Sequence, residues 1–189
     1  MSEQTIQDSL FSNDVSILDK YTCLSLGATT INDLMKSGKL KQVKVSKNLS
    51  KKPDVLIINK NKEVVVFLEF KKPEELNTKA KIDKAIKQEI GVAKEIGAKI
   101  YIVTDGNKYI WLNPITGNLI VDEKGNQITR KIDPKAEPKK VAEFIDLVSL
   151  SVSSENDTIL KLEDIDPTDL AKKIARILKR MTFASSKMS

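Results

Sequence analysis

The sequence predicts an α/β fold, with helices covering both faces of a central sheet and a helical appendage at the C-terminus. Three observations predict it. Residues 55–58 (Val-Leu-Ile-Ile) and 64–68 (Val-Val-Val-Phe-Leu) are apolar on successive rather than alternate positions, so both faces of the hairpin they form must be covered. Residues 78–97 set Ile82, Ala85, Ile86, Ile90, Ala93 and Ile96 at helical spacing, which supplies one covering layer. Residues 99–104 and 109–112, split by Asp105-Gly106-Asn107, read as a further strand pair.

Taken in order, residues 1–30 scatter apolar positions among Ser, Asp and Asn and stop at Gly27, which fits one or two short helices. Thr30 caps a helix over 31–35 that ends at Ser37-Gly38, and 39–45 reads as a short strand. The Lys-rich stretch 47–52 is a loop. The hairpin then turns through Asn59-Lys60-Asn61-Lys62, and Gly97 stops the long helix. Asn113-Pro114 ends the second strand pair. Residues 119–121 and 127–129 suit a small peripheral hairpin. Two prolines within 133–140 mark a linker into a helix over 141–150, and 151–157 is a second polar linker. Asp166-Pro167-Thr168-Asp169 then caps a helix with an apolar stripe (Leu170, Ile174, Ile177, Leu178) and a basic face that includes Lys172, Arg176 and Arg180. The expected division is a domain over 1–150 and a linker with a connector helix over 151–189.

Composition removes several chemistries. The chain of 189 residues has no histidine and one cysteine, which excludes Ser-His-Asp and Cys-His catalysis and zinc sites built on Cys/His pairs. Cys23 has no internal disulfide partner and no basic-apolar-small leader opens the chain, so a cytoplasmic protein is expected. No apolar run approaches the ~20 residues of a membrane helix. A net charge of +6 is compatible with a phosphate-backbone partner without requiring one.

Phosphodiester cleavage without histidine calls for a hard divalent cation on oxygen ligands and a group that positions or deprotonates water. The hairpin offers such a set. With the turn centred between Lys60 and Asn61, Asp54 lies opposite Phe67, so Asp54, Phe67, Glu69 and Lys71 share a face. Asp54 and Glu69 are then diagonal neighbours, about 7–8 Å apart at Cα, close enough for one ion. Lys71 sets its ammonium beside attacking water or the charge developing on phosphate. An acid followed two residues later by Lys also occurs at Asp122, Asp133 and Glu137, but only Glu69 ends a buried strand paired with another acid.

Pro53-Asp54, fourteen intervening residues and then Glu69-Phe70-Lys71 resemble the PD-(D/E)XK nuclease superfamily. The closer resemblance is to the N-terminal nuclease domain of type I restriction enzyme motor (R) subunits and of single-chain, type IIG-like restriction-modification enzymes. It runs from Lys52 through Leu112, including Lys87-Gln88 and Val103-Thr104-Asp105-Gly106. The resemblance implies a restriction-endonuclease-like core with a mixed central β-sheet flanked by helices. It implies a Mg²⁺-dependent endonuclease, with Mn²⁺ as a substitute, that cleaves double-stranded DNA as the cleavage domain of a restriction-modification system. It also implies a methyltransferase, specificity or motor domain or subunit as partner, which the 166–174 stretch would join as a connector.

By the same resemblance Asp54 and Glu69 are catalytic and bind the metal, Phe70 adds its backbone carbonyl, Lys71 is catalytic, and Gln88 orients the site. The tyrosine that usually follows that glutamine by four residues is Val92 here. An upstream acid often joins such sites; Asp33 is the nearest candidate and Glu3 a remote one. Lys47, Lys51 and Lys52 are candidates for phosphate contact, with a solvated charge run as the alternative. Glu89, within the apolar arc of its helix, reads as an edge carboxylate, with an unrecognised site member as the alternative, and Tyr101 and Trp111 read as core, with base stacking as the lesser alternative. Other readings remain open. Asp54 also suits a strand start and Gln88 a solvated helix position. The scaffold also suits a non-catalytic nucleic-acid or protein interaction module, or a structure-specific repair nuclease.

Overall fold

The computed structural model describes residues 14–44, 47–152 and 158–159. The connector helix expected at 166–180, the linker at 153–157 and Glu3 lie outside the described residues. Six strands form one sheet in chain order: β1 (Val15–Ile17), β2 (Tyr21–Ser25), β3 (Val55–Asn59), β4 (Val64–Phe70), β5 (Ile100–Thr104) and β6 (Tyr109–Leu112). Only β4 and β5 are parallel, which makes the sheet mixed. The parallel pair requires a crossover, and it is made by a 3₁₀ turn (Pro73–Glu75) and a long helix.

Helices α1 (Ile31–Lys36) and α2 (Lys79–Glu95) lie on one face of the sheet and α3 (Pro138–Ser151) on the other. Helices α1 and α2 start where the sequence signals them, whereas α3 starts at Pro138, inside the stretch 133–140 expected to be a linker, rather than at 141. Thr30 caps α1 through the Asp33 amide, Thr78 caps α2 through the Lys81 amide, and Pro138 opens α3. On the α3 face Val55, Ile57, Val66, Leu68, Ile102 and Trp111 pack against Val141, Ile145 and Val148. There Trp111 meets Phe144 edge-on at 5.2 Å and donates its indole N–H to the Arg130 carbonyl. On the other face Leu56, Phe67, Tyr101, Val103 and Ile110 pack with Ile31, Leu34, Ala85, Val92 and Ile96. The double-sided apolar runs of the sequence correspond to these two cores.

Four further expectations need correction. Where one or two short helices were expected over 1–30, residues 14–29 hold two strands, because Leu18 and Asp19 both take positive φ (53° and 51°) and turn β1 back onto β2, while residues 1–13 lie outside the described residues. Residues 39–44 are not a strand. Leu40 and Val43 are three apart, out of phase with a pleat, and a backbone bond from Lys41 to the Lys62 carbonyl tethers the segment to the β3–β4 turn. The 119–129 hairpin shrinks to a single bridge between Val121 and Gln127. Val121 and Asp122 instead form β7, parallel to β8 (Thr158–Ile159).

The fourth correction concerns register. The turn holds three residues, Lys60 to Lys62, and Val65 is an extra residue, bulged between the Ile58–Val64 and Ile57–Val66 pairs. Together these move the pairing by two positions. Val55 therefore faces Leu68, and the next pair outward sets Asp54 directly across from Glu69 rather than diagonal to it. An even displacement preserves the facing, so the expected grouping of Asp54, Glu69 and Lys71 on one face holds. Among the described residues no helix is long and apolar enough to cross a membrane.

Candidate active site

The open end of the β3–β4 hairpin is also the carboxyl end of the parallel β4–β5 pair, where open α/β sheets place their ligands. Buried Pro53 leads into Asp54, whose carbonyl accepts from the Leu26 amide at 3.1 Å. The Asp54 carboxylate accepts the Phe70 amide at 2.7 Å, so β3 reaches β4 through a side chain just where the ladder ends. The next amide, that of Lys71, donates to the Thr104 carbonyl on β5 at 2.8 Å. Backbone groups alternate along a strand, so the Phe70 carbonyl lies on the Asp54 side together with its amide. The Phe70 ring faces the α3 core.

Lys71 donates to Glu69 Oε1 at 2.9 Å, and the two side chains are only 13% and 12% exposed. Residues two apart on a strand lean toward each other on one face, which is what an acid-x-Lys spacing achieves here. Burial first, and the charge of Asp54 second, push the Glu69 carboxyl up to about 7 against the pull of Lys71. Asp54 is raised as well. Burial outweighs the Phe70 amide and Lys71, and Glu89 adds to the rise. Burial lowers Lys71, but Glu69, Glu75 and Asp54 more than compensate and hold its ammonium above its ordinary value. The site thus holds two carboxyls raised above their ordinary values and a lysine held firmly protonated.

The other expected residues are placed differently. Gln88 is exposed on α2, beside Lys84 and Lys87 on one side and Glu74 and Glu75 on the other. A helix turns about 100° per residue, and the position turned toward the carboxylates is the next one. Glu89 stands between buried Ala85 and Val92, and its charge acts on both Asp54 and Glu69. Glu89, read as an edge carboxylate in preference to a site member, thus stands on the side of α2 that faces the carboxylates. Its presence within the apolar arc was the available signal.

Asp33 caps α1 with Thr30 at its exposed N-terminus, and those hydrogen bonds lower its pKa. Its charge is not among those acting on Asp54 or Glu69. Lys47 and Lys52 are exposed, whereas Lys51 pairs with Glu89 at 2.8 Å. The loop that carries them is anchored, because the Lys51 and Leu49 carbonyls accept the first amides of α1 and Asn48 donates to Glu95 of α2. Trp111 is wholly buried, which removes it as a stacking surface for bases. Among the described residues no three His, Cys, Asp or Glu side chains converge into a ready-made metal cluster. Compared with protein-family models, with curated proteins and with solved structures, the chain matches none.

Proposed function

We propose that the protein is a Mg²⁺-dependent endonuclease of the PD-(D/E)XK type, with a restriction-endonuclease-like core, that cleaves double-stranded DNA as the cleavage domain of a restriction-modification system. The observation that carries the reading is the half-buried Asp54–Glu69 pair, facing directly across one hairpin with the Lys71 ammonium 2.9 Å from Glu69. Both carboxyls are raised by burial and by neighbouring negative charge, a cost that a hard divalent cation relieves. The donor set fits such an ion, with all-oxygen ligands from Asp54 and Glu69 and the Phe70 carbonyl on the same side. When bound, the ion supplies Lewis-acid polarisation of the scissile phosphate.

The remaining work falls to the chain's own residues. Lys71, kept protonated, orients a water by hydrogen bonding and offsets negative charge as it builds on phosphate. Glu69, in giving up its proton near neutrality, frees a carboxylate oxygen for the ion. The Phe70 amide fixes the Asp54 rotamer, so the acid is preorganised. Target selection would reside in a partner specificity, methyltransferase or motor domain.

The test is plasmid nicking in Mg²⁺ and in Mn²⁺ by the full chain, by Asp54→Ala and by Lys71→Ala, with far-UV circular dichroism confirming the fold. Loss of nicking by about 10²-fold or more in both variants is expected, the scale for removing one transition-state charge partner. Full activity in Lys71→Ala overturns the assignment. The interaction-module reading draws on the exposed Gln88; it predicts no saturable Mn²⁺ binding, and a calorimetric site lost in Asp54→Ala eliminates it.

A further inference from the structure

Between Asp33 and Asp54 the chain carries seven lysines and no acid. Three of them are answered, Lys39 by Asp14 at 3.1 Å, Lys41 by Glu63 at 2.7 Å and Lys51 by Glu89 at 2.8 Å. Lys36 belongs to the last turn of α1. The other three, Lys44, Lys47 and Lys52, are exposed and form no ion pair among the described residues. Asp33, which feels Lys36 and Lys52, is already bonded to Thr30.

The segment that carries them is laid along the α1 and α2 side of the sheet. At the turn end of the hairpin the Lys41 amide donates to the Lys62 carbonyl at 2.9 Å. Asn48 reaches Glu95 at the end of α2, and Lys51 reaches Glu89, six residues or about 9 Å back along that helix toward the open end. The chain then enters β3 through Pro53 and Asp54, on the side of the sheet that Phe67 shares with Glu69 and Lys71. Its cations therefore run the length of β3, about 17 Å or the rise of about five base pairs of duplex, and stop at the carboxylates.

What the segment lacks identifies its partner. It has no aromatic residue on which an unpaired base could stack. Its two side-chain amides, the groups suited to reading base edges, are committed, Gln42 to the Met35 carbonyl and Asn48 to Glu95. Leu49 is its one exposed large apolar side chain among the described residues, and lysine is depleted from protein interfaces, where aromatic and arginine anchors dominate. Exposed ammoniums on a tethered backbone suit a phosphodiester chain, which they position without reading its sequence.

Resting on the nuclease reading above, we propose that Lys44, Lys47 and Lys52 form a phosphate track that binds the backbone of a DNA duplex and delivers it to the Asp54–Glu69 end of the sheet. Binding along the track needs neither the divalent ion nor a particular base sequence, so it holds the substrate while a partner chooses the target.

The test is fluorescence anisotropy of a labelled duplex of about 20 base pairs, titrated with the full chain in EDTA at salt concentrations from about 50 to 200 mM. The triple variant Lys44→Gln, Lys47→Gln, Lys52→Gln should lower the slope of log K against log salt by about 0.9 for each lysine, and by the same amount on two unrelated duplex sequences. A control that removes the same charge from exposed positions elsewhere, Lys124→Gln, Lys131→Gln, Lys139→Gln, should keep the wild-type slope. Equal loss in both triples overturns the track in favour of diffuse net charge. If poly-L-glutamate displaces the duplex as well, charge for charge, as unlabelled duplex does, the track is overturned in favour of an acidic protein partner. A wild-type chain that fails to bind the duplex at the lowest salt overturns it too. Plasmid nicking decides the nuclease reading separately: if nicking is absent while the slopes behave as expected, the duplex surface stands and delivery to a cleavage site falls.

Discussion

Glu63 precedes β4 and Glu69 lies near its far end, and each has a lysine ammonium at hydrogen-bond distance, 2.7 Å from Lys41 and 2.9 Å from Lys71. Their electrostatics are opposite. At the turn end Glu63 is 44% exposed, and its bonds to Lys41 and Asn59 hold its carboxyl below the ordinary range. At the open end Glu69 is 12% exposed, and burial with Asp54 across from it pushes its carboxyl up to about 7 despite Lys71. A lysine neighbour therefore does not decide the state of a glutamate. Loss of water and a second acid decide it, and that is how one strand yields a solvated ion pair at one end and a raised, half-buried acid pair at the other.

The comparison breaks first if activity fails to separate the two ends. Lys71→Ala should lower nicking by about 10²-fold or more, while Lys41→Ala should nick like wild type. Next in size is the dependence of stability on pH. In chelator, Glu69 keeps a proton in the folded state, up to about 7, that it gives up near 4.5 in the unfolded chain. Its stabilisation is fully present below about 4.5 and is lost as the pH rises through about 7, amounting to as much as about 3 kcal/mol. Urea melts across this window should show the decline, and Glu69→Gln should flatten it. Glu63, whose pKa is lowered, works in the opposite sense at lower pH, so Glu63→Gln should leave the neutral decline unchanged.

Mn²⁺ affinity should rise with pH up to about 7 and then level off, by no more than tenfold per pH unit, since one proton must leave Glu69. Calorimetry at stepped pH reads this directly, and a flat profile would place the ion elsewhere. The smallest expected effect belongs to Gln88→Ala. This exposed side chain should alter nicking and the urea midpoint little, and a large loss of nicking would show that it acts in the site despite its exposure.

What the sequence made legible follows from how strongly each feature is encoded. The β3–β4 hairpin was plain because nine apolar positions frame a polar turn, and α2 because a capped apolar stripe ends at a glycine with φ of 75°. The first hairpin was hidden because Leu18 and Asp19 occupy positive-φ turn positions that ordinarily announce themselves as Asn-Gly. The grouping of Asp54, Glu69 and Lys71 was legible because strand alternation fixes it. The separation of the two acids was not, since it depends on a third turn residue and on a bulge that has no local signature. Gln88 and Glu89 differ by one position in sequence and by a quarter turn in space, and the burial of Ala85 and Val92 agrees with the apolar arc in turning Glu89 toward the sheet.

The Val65 bulge also settles which edits of the gene the site tolerates. Without a bulge, the same turn would pair Ile57 with Val65, and Glu69 and Lys71 would face Trp111 and Ile145 while Asp54 stayed behind. The bulge takes up one odd residue, so the spacing between turn and chemistry is counted in twos. Deleting Val65 leaves an even ladder and keeps the three side chains together. Inserting one residue after Val66 restores odd parity and sends a glutamate and a lysine into hydrocarbon. Along this strand, losing the bulged residue is therefore tolerated, whereas gaining one residue beyond it is not.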